Sequence, residues 1–161
     1  MRNHGIEMQD GKMEFVYAGY NYRMTDFQAA LVYHQFQKLD SIIEARKAIA
    51  AQYLQGISNP KITLPSEPSG YQHTWQTFHI LVDDSMHRDT LINELKEKGI
   101  GSNYGAQCMP YMAYYKDKYK LDCEKLFPNA LRAYKKGLAL PVYDTMSTED
   151  INYIIETINT L

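Results

Sequence analysis

Apolar residues recur at helical spacing after Thr25 and predict one long helix over residues 25–57. Thr25 is a suitable N-cap, Gln28 can complete a capping box, and Asp26 lies in the first turn, where the helix dipole favours an acid. No proline or glycine interrupts the pattern before Gly56, so the helix is expected to be about 30 residues, or about 45 Å, long. A helix of this length usually connects domains or lines an interface.

The segments on either side of this helix show no clear period. Residues 1–24 are punctuated by Gly5, Gly11 and Gly19 and predict a loop with at most a short strand. Residues 58–70 contain three prolines and predict a linker. The chain therefore divides into an arm, a long helix, a linker and a remainder.

Residues 71–161 alternate between strand-like and helix-like patterns. Strands are predicted at residues 73–82, 100–104 and 138–143, and Pro141 places the last one at a sheet edge or marks the end of the strand. Helices are predicted from a cap at Asp84 or Ser85 to Lys98, from Pro128 to Gly137, and after a cap at Ser147. Residues 105–127 are the least regular stretch. The pattern predicts an α+β domain in which helices cover one face of a short sheet.

Composition narrows the function classes. Hydrophobic residues make up 45% and charged residues 22% of the 161-residue chain, which is typical of a globular protein and excludes a disordered one. No apolar run approaches the roughly 18 residues of a transmembrane helix, and the polar first residues do not resemble a signal peptide. A net charge of −2 argues against nucleic acid as a partner. Two cysteines form neither a disulfide framework nor a zinc knuckle, and we expect a cytoplasmic protein with no membrane partner.

Tyrosine is unusually frequent, with 14 residues against 5 phenylalanines and 1 tryptophan. Many tyrosines fall in two clusters, within residues 17–22 and 104–119. Tyrosine suits half-buried surfaces, where the ring packs and the hydroxyl stays hydrated. The clusters indicate either a generic aromatic surface or surfaces that face another domain, chain or ligand.

Most common catalytic motifs are absent: there is no P-loop, GxGxxG, GxSxG or HExxH sequence. His73 and His79 share a face of a predicted strand, but no acidic or cysteine neighbours stand at ligand spacing, so we predict two polar strand residues and no metal site. The lysines at positions 116, 118 and 120 are typical of a solvated surface. Nothing near Cys108 indicates a reactive thiol.

Asn21 and Arg23 are the remaining candidates for chemistry. They stand directly before a predicted helix start, where side-chain and backbone donors can gather around an anion. The alternative is structural: Asn21 caps a turn and Arg23 forms a surface ion pair.

The segment around these two residues resembles a signature of the DegT/DnrJ/StrS-type family of sugar-nucleotide aminotransferases. The family's GxNxRM(S/T)(D/E)xQAA signature is similar to residues 19–30, and its RNHG stretch is similar to residues 2–5. Shorter similarities follow in the family's order: QLxxLDxxIxxR at residues 35–46, LxxKGIG at 95–101, FPNA at 127–130 and LxLPxYxxxxxxD at 138–150. The resemblance covers nearly the whole chain.

The resemblance implies part of a fold-type-I aminotransferase that uses pyridoxal 5'-phosphate. Residues 1–24 would be an arm from the end of the large domain, residues 25–57 the long connecting helix, residues 58–70 a linker, and residues 71–161 the small C-terminal α+β domain. The family acts on keto-sugar nucleotides, with glutamate as an expected amino donor, in amino-sugar and cell-surface polysaccharide biosynthesis.

The resemblance also assigns binding residues. The family's asparagine binds the cofactor phosphate across a dimer interface, which implies this role for Asn21. Arg23 is implied to bind anionic groups of substrate or cofactor, and His4 and Tyr17 are implied to lie near the substrate. Many relatives carry His-Tyr where this chain has Gly105-Ala106, so the role of that histidine does not transfer.

The Schiff-base lysine and the acid that pairs with the pyridine nitrogen lie upstream of the RNHG-like segment in the family. No catalytic residue is therefore expected within this chain, and the chain alone is expected to be inactive. Its expected partner is a second copy or a complementary chain that carries the large domain. The tyrosines near positions 17–22 would face the partner subunit, and those at 111–119 would face the large domain.

Two other functions compete with this interpretation. The chain can be a non-catalytic remnant that dimerises or binds a partner through its arm and long helix. A small nucleic-acid or metal-binding module would rest on the lysine run and scattered histidines alone, and the acidic balance opposes it.

Overall fold

The computed structural model describes residues 2–161 and divides the chain into two compact units, one up to Asp40 and one at Ser41–Leu161. In the first unit, strand β1 (Ile6–Gln9) pairs antiparallel with β2 (Lys12–Phe15). Asp10 and Gly11 connect them with φ of 49° and 78°. Two successive positive φ values are typical of a type I′ hairpin turn, for which Asp-Gly is a preferred sequence. Within the region predicted as a loop with at most a short strand, residues 6–15 thus form a hairpin.

Helix α1 (Asp26–Phe36) begins where the capping signal predicts. The Thr25 hydroxyl accepts a hydrogen bond from the Gln28 backbone N–H at 3.2 Å, and the Gln28 side chain accepts one from the Thr25 N–H at 3.0 Å. Two of the helix's first donors are thereby satisfied. The predicted N-terminus is confirmed.

The prediction of one unbroken helix over residues 25–57 is wrong. Helix α1 ends at Phe36, and helix α2 runs over Leu39–Gly56. Between them, the Lys38 N–H donates to Gln35 O at 3.0 Å, a three-residue bond that tightens the end of α1. Helix α1 buries no side chain, whereas α2 buries three in the second unit. Because packing rather than propensity supplies most helix stability, the spacing of residues alone does not reveal the break.

The second unit contains a three-stranded antiparallel sheet in the order β3 (Ile62–Thr63), β4 (Phe78–Val82), β5 (Gly137–Leu140). Strand β3 lies within the predicted linker, because Ile62 is buried and pairs with Val82. The predicted strand at 100–104 is reduced to one bridge, in which the Ala139 N–H donates to Asn103 O at 2.8 Å. The predicted strand at 73–82 begins only at Phe78, after Trp75 adopts a φ of 52°.

Five helices complete the second unit: α3 (Arg88–Glu97), α4 (Ala113–Tyr119), α5 (Cys123–Leu126), α6 (Pro128–Lys136) and α7 (Thr148–Asn159). Pro128 occupies the first turn of α6, and the Ser147 hydroxyl accepts from the Asp150 N–H at 3.0 Å, as predicted. Helix α3 starts later than its predicted cap because Asp83 accepts from both the backbone and the hydroxyl of Ser85 in a separate turn. The Ser85 hydroxyl and backbone bonds hold the pKa of Asp83 below its ordinary value.

The main core lies between the sheet and three helices. Phe78, Ile80 and Val82 alternate along β4 and are buried on one face. Side chains from α2, α3 and α7 pack into the same cluster, among them Ile49, Tyr53, Leu95, Ile151 and Ile158. Helix α6 adds cover on the His79 side of β4. The chain is thus an α+β protein, as predicted, but its helices lie on both faces of the sheet and not on one face alone. Among residues 2–161, no helix combines the length and apolar content needed to cross a membrane.

Candidate functional site

The two segments that carry the strongest sequence similarity lie side by side in the first unit. Residues 2–5 and 17–22 run antiparallel and are joined through their backbones. The connections are the Asn3–Asn21 bridge, His4 N–H to Tyr20 O at 2.9 Å, and Tyr22 N–H to Arg2 O at 2.9 Å. The fold therefore gathers the predicted site residues His4, Tyr17, Asn21 and Arg23 in one place, which we call the arm cluster.

Two glycines allow this close approach. Gly5 has a φ of 71°, and a Cβ atom there would overlap the backbone of Tyr17. A Cβ atom at Gly19 would overlap the backbones of His4 and Gly5. Only residues without a side chain fit at either position. From the sequence these glycines were predicted only to punctuate a loop, although each stands within one of the similar segments.

Asn21 has an exposed side chain with a fixed orientation. Its Oδ1 accepts a hydrogen bond from the Arg23 backbone N–H at 3.3 Å. The turn predicted by the structural alternative is therefore present. With Oδ1 engaged by the backbone, the Nδ2 amide group is the end left to donate to a ligand.

Arg23 is also exposed and stands at the N-terminus of α1. With Asn21, Met24, Thr25 and Asp26 it lines an open recess of about 440 Å³. Within residues 2–161, Arg23 takes part in none of the salt bridges, so the predicted surface ion pair is not formed. Its charge and the positive end of the helix favour an anion in the recess, whereas the Asp26 carboxylate in the lining opposes one.

His4 and Tyr17 are the other two residues of the arm cluster, and both have exposed side chains. His4 has a left-handed φ of 55°, a conformation uncommon outside glycine. The Tyr17 N–H donates to Gly5 O at 3.3 Å, and Tyr20 stacks on Tyr22 with ring centroids 5.3 Å apart. These contacts fix the backbone from which all four predicted residues project.

The arm cluster fits one end of the implied cofactor. An amide donor, a guanidinium and a helix N-terminus suit the oxygens of a phosphate group. The lysines of residues 2–40 are Lys12, in β2, and Lys38, after α1, so neither belongs to the two paired segments. The cluster thus offers donors of the kind that suit a phosphate, but it contributes no lysine amine that could bond to an aldehyde.

The histidines of the second unit do not form a metal site. His73 lies before the strand, where its Nδ1 accepts from the Trp75 N–H at 2.8 Å. His79 lies on β4 beside Gly105 and Gly137, and its partial burial lowers its pKa. Across residues 2–161, no group of three or more His, Cys, Asp or Glu side chains is placed to bind a metal.

Comparison with known proteins extends over nearly the whole chain. The model of the DegT/DnrJ/EryC1/StrS aminotransferase family matches residues 1–159. The spore coat polysaccharide biosynthesis protein SpsC of Bacillus subtilis (strain 168) is 32% identical over 145 residues, which cover 87% of this chain and 37% of SpsC.

Solved structures also match nearly the whole length of this chain. The PMP form of Spr1654 from Streptococcus pneumoniae, described as a sugar aminotransferase, is 26% identical with a TM-score of 0.86, covering 98% of this chain and 40% of that one. Its PLP form is 26% identical with a TM-score of 0.84 and the same coverage. This chain thus spans about two fifths of the length of the relatives that it matches.

Proposed function

Because the chain belongs to the DegT/DnrJ/EryC1/StrS aminotransferase family, we propose that it supplies the arm and the small domain of a pyridoxal-phosphate-dependent sugar aminotransferase. The relatives that it matches include a protein described as a sugar aminotransferase and a spore coat polysaccharide biosynthesis protein. The proposed substrates are a keto-sugar nucleotide and an amino donor, for which we propose glutamate. The proposed product is an amino sugar for a cell-surface polysaccharide.

The observation that carries this proposal is the pairing of residues 2–5 with residues 17–22, which presents Asn21 and Arg23 at the start of α1. Pyridoxal phosphate, when bound, supplies an electron sink for moving an amino group. In our proposal Asn21 donates its Nδ2–H to the cofactor phosphate, since Oδ1 is held by the Arg23 N–H. Arg23 binds an anionic group of substrate or cofactor, and His4 and Tyr17 border the substrate.

The rest of the site lies outside this chain in our proposal. The arm cluster has no lysine, and the chain spans about 40% of the length of its structural relatives. A sequence that carries the Schiff-base lysine would complete the site, either in a longer form of this protein or in a separate chain. The 161-residue chain alone is then inactive.

Helix α1 offers a surface on which a second subunit would bind. Its large apolar side chains are exposed, with Phe27 at 74%, Leu31 at 54% and Phe36 at 70%. Exposed apolar groups at this density mark interaction surfaces in folded proteins. We therefore propose that the first unit packs against a second subunit, as in a homodimer.

A chimera tests the role of Asn21. This chain replaces the matching segment of SpsC, and the product is loaded with pyridoxal phosphate. Since a hydrogen bond to a charged group contributes about 1.5–3 kcal/mol, Asn21→Ala should raise the cofactor's dissociation constant by about tenfold or more. Cofactor fluorescence measures binding, and the absorbance change on adding glutamate measures amino transfer.

Asn152, exposed on α7, provides the matched control, and Asn152→Ala should leave cofactor binding unchanged. A chimera that folds but binds no cofactor would refute the enzymatic proposal and favour a non-catalytic, partner-binding domain. Equal binding by the Asn21→Ala variant and the parent chimera would refute the assignment of Asn21 alone.

A further inference from the structure

Two cysteines are the buried anchors of a long surface segment. In residues 103–130, all described by the structure, Cys108 and Cys123 are the only buried side chains, with exposures of 1% and 6%. Their Sγ atoms lie 3.2 Å apart, and both thiols are free. The two residues are fifteen positions apart in the chain, but their side chains touch each other in the fold.

The cysteines form a small cluster apart from the main core. Leu131 of α6 completes this cluster, with Tyr134 packed against it. The 3₁₀ turn at Met109–Tyr111 and helix α4, which lie between the cysteines, bury no side chain. A segment with so few buried contacts opens locally at a small cost in free energy.

We propose that Cys108 and Cys123 form an intrachain disulfide, by exchange with a small-molecule disulfide such as glutathione disulfide, that closes residues 108–123 into a covalent loop. The inference is independent of the proposed function, because it rests only on the placement of the two thiols. The sulfurs are already in contact, so bond formation requires only a small local movement.

The reaction is a two-step exchange. One cysteine thiolate attacks a sulfur of glutathione disulfide and expels one glutathione thiolate, which leaves a mixed disulfide. The second cysteine thiolate then attacks the protein sulfur of that mixed disulfide and expels the other glutathione. The two protein thiols are oxidised, the glutathione disulfide is reduced to two thiols, and these take up the two protons.

Local opening gives the reagent access. In the closed segment, burial raises the pKa of the Cys123 thiol, which disfavours the thiolate needed for attack. Exchange therefore proceeds from the opened segment, and closure then brings the second thiol to the mixed disulfide. The bond would hold the exposed Tyr111, Tyr114 and Tyr119 in one arrangement.

The test equilibrates the 161-residue chain with glutathione redox buffers, natively and in urea. After thiol alkylation, intact mass should show an unalkylated species about 2 Da lighter than the reduced chain. Because the native fold holds the thiols together, the effective concentration of one thiol for the other should exceed its value in urea by about tenfold or more. Mixed glutathione adducts or linked dimers as the main products would overturn the proposal, as would equal values in the two conditions.

Proteolysis tests whether the covalent loop opens less readily than the reduced segment. Trypsin sites at Lys116, Lys118 and Lys120 lie inside the closed loop. The oxidised chain should be cut there about tenfold more slowly than the reduced chain, because local opening is suppressed. Cys108→Ser and Cys123→Ser variants should be cut equally fast with and without glutathione disulfide. Equal cleavage of the oxidised and reduced parent chain would show that the bond does not suppress local opening, and would overturn the proposed effect of the loop.

Discussion

A methyl group at Gly19 would have to occupy space held by the backbones of His4 and Gly5. Gly19→Ala should therefore separate the two segments of the arm cluster, at a cost of about 1–3 kcal/mol. We expect the His4 and Tyr22 amides, which bond across the two segments, to exchange hydrogen about tenfold faster or more. Amide exchange followed by NMR measures this change.

Gly101 provides the control for that substitution. A Cβ atom at Gly101 would meet nothing within 4 Å, and its backbone is not left-handed. Gly101→Ala should leave the His4 and Tyr22 amides as protected as in the parent chain. If Gly19→Ala also leaves them protected, the glycine packing does not hold the arm together.

We predict that the stability of the chain depends on pH through the titration of His79. Burial lowers its pKa in the folded chain below the ordinary value of 6.5, against a smaller opposing effect of a backbone hydrogen bond at Tyr104. Above that value, both folded and unfolded chains hold the residue neutral. As the pH falls below 6.5 the unfolded chain binds the proton first, so the free energy of unfolding decreases until the folded pKa is reached.

Urea unfolding measures this decrease when it is carried out from about pH 7.5 to about pH 5, the range in which histidine titrates. The His79→Gln variant lacks the group and should show a shallower dependence on pH than the parent chain. Parallel curves for the two proteins would contradict the assignment to His79.

At single positions, the sequence predicts what depends on neighbours along the chain. The caps at Thr25 and Ser147 and the turn at Asn21 follow from residues two or three positions away, and all three occur. The tight fit of Gly5 against Tyr17 depends on a contact between two separate segments. No local pattern carries that information. The binding roles of Asn21, Arg23, His4 and Tyr17 stay predictions.

At the scale of elements, the cap of α7 offers a direct test. The Ser147 hydroxyl satisfies the Asp150 N–H, and α7 contributes Ile151, Ile154 and Ile158 to the core. Ser147→Ala should lower the free energy of unfolding by about 1 kcal/mol, as measured by urea denaturation. Ser147→Asn keeps an acceptor and should stay close to the parent chain. If both variants lose the same amount, the lost stability does not come from the cap.

Elements were predictable where packing and periodicity agree. Helix α7 and the alternation of Phe78, Ile80 and Val82 meet both conditions. The two-residue strand β3 is too short for a period, and the prolines on either side of it, at positions 60 and 65, suggested a linker. The break between α1 and α2 carries no proline or glycine, and it lies where packing changes between the two units.

At the scale of the whole molecule, the two units differ in how they are stabilised. Within residues 2–40 only one residue, Gly5, is buried. The side chains of the main core all come from Ile49 and later residues. We expect the chain to self-associate through the apolar residues of α1. Leu31→Asp should weaken that association by about tenfold or more, as light scattering over a concentration series will show.

Leu126 is the matched control, since it is also exposed, at 56%, but lies on α5 of the second unit. Leu126→Asp should leave the association constant unchanged. A parent chain that stays monomeric at the highest concentration would argue against the proposed second subunit. An equal effect of both substitutions would place the contact elsewhere.

The bare apolar side chains of α1 also bear on how long the molecule survives in a cell. Exposed Phe27, Leu31 and Phe36 are the kind of surface that chaperones retain and degradative proteases act on. A copy without its partner would be cleared faster than one in a complex. The steady-state abundance of this chain should therefore follow the abundance of the subunit that covers α1. The ratio of the two subunits is then set by degradation as well as by synthesis.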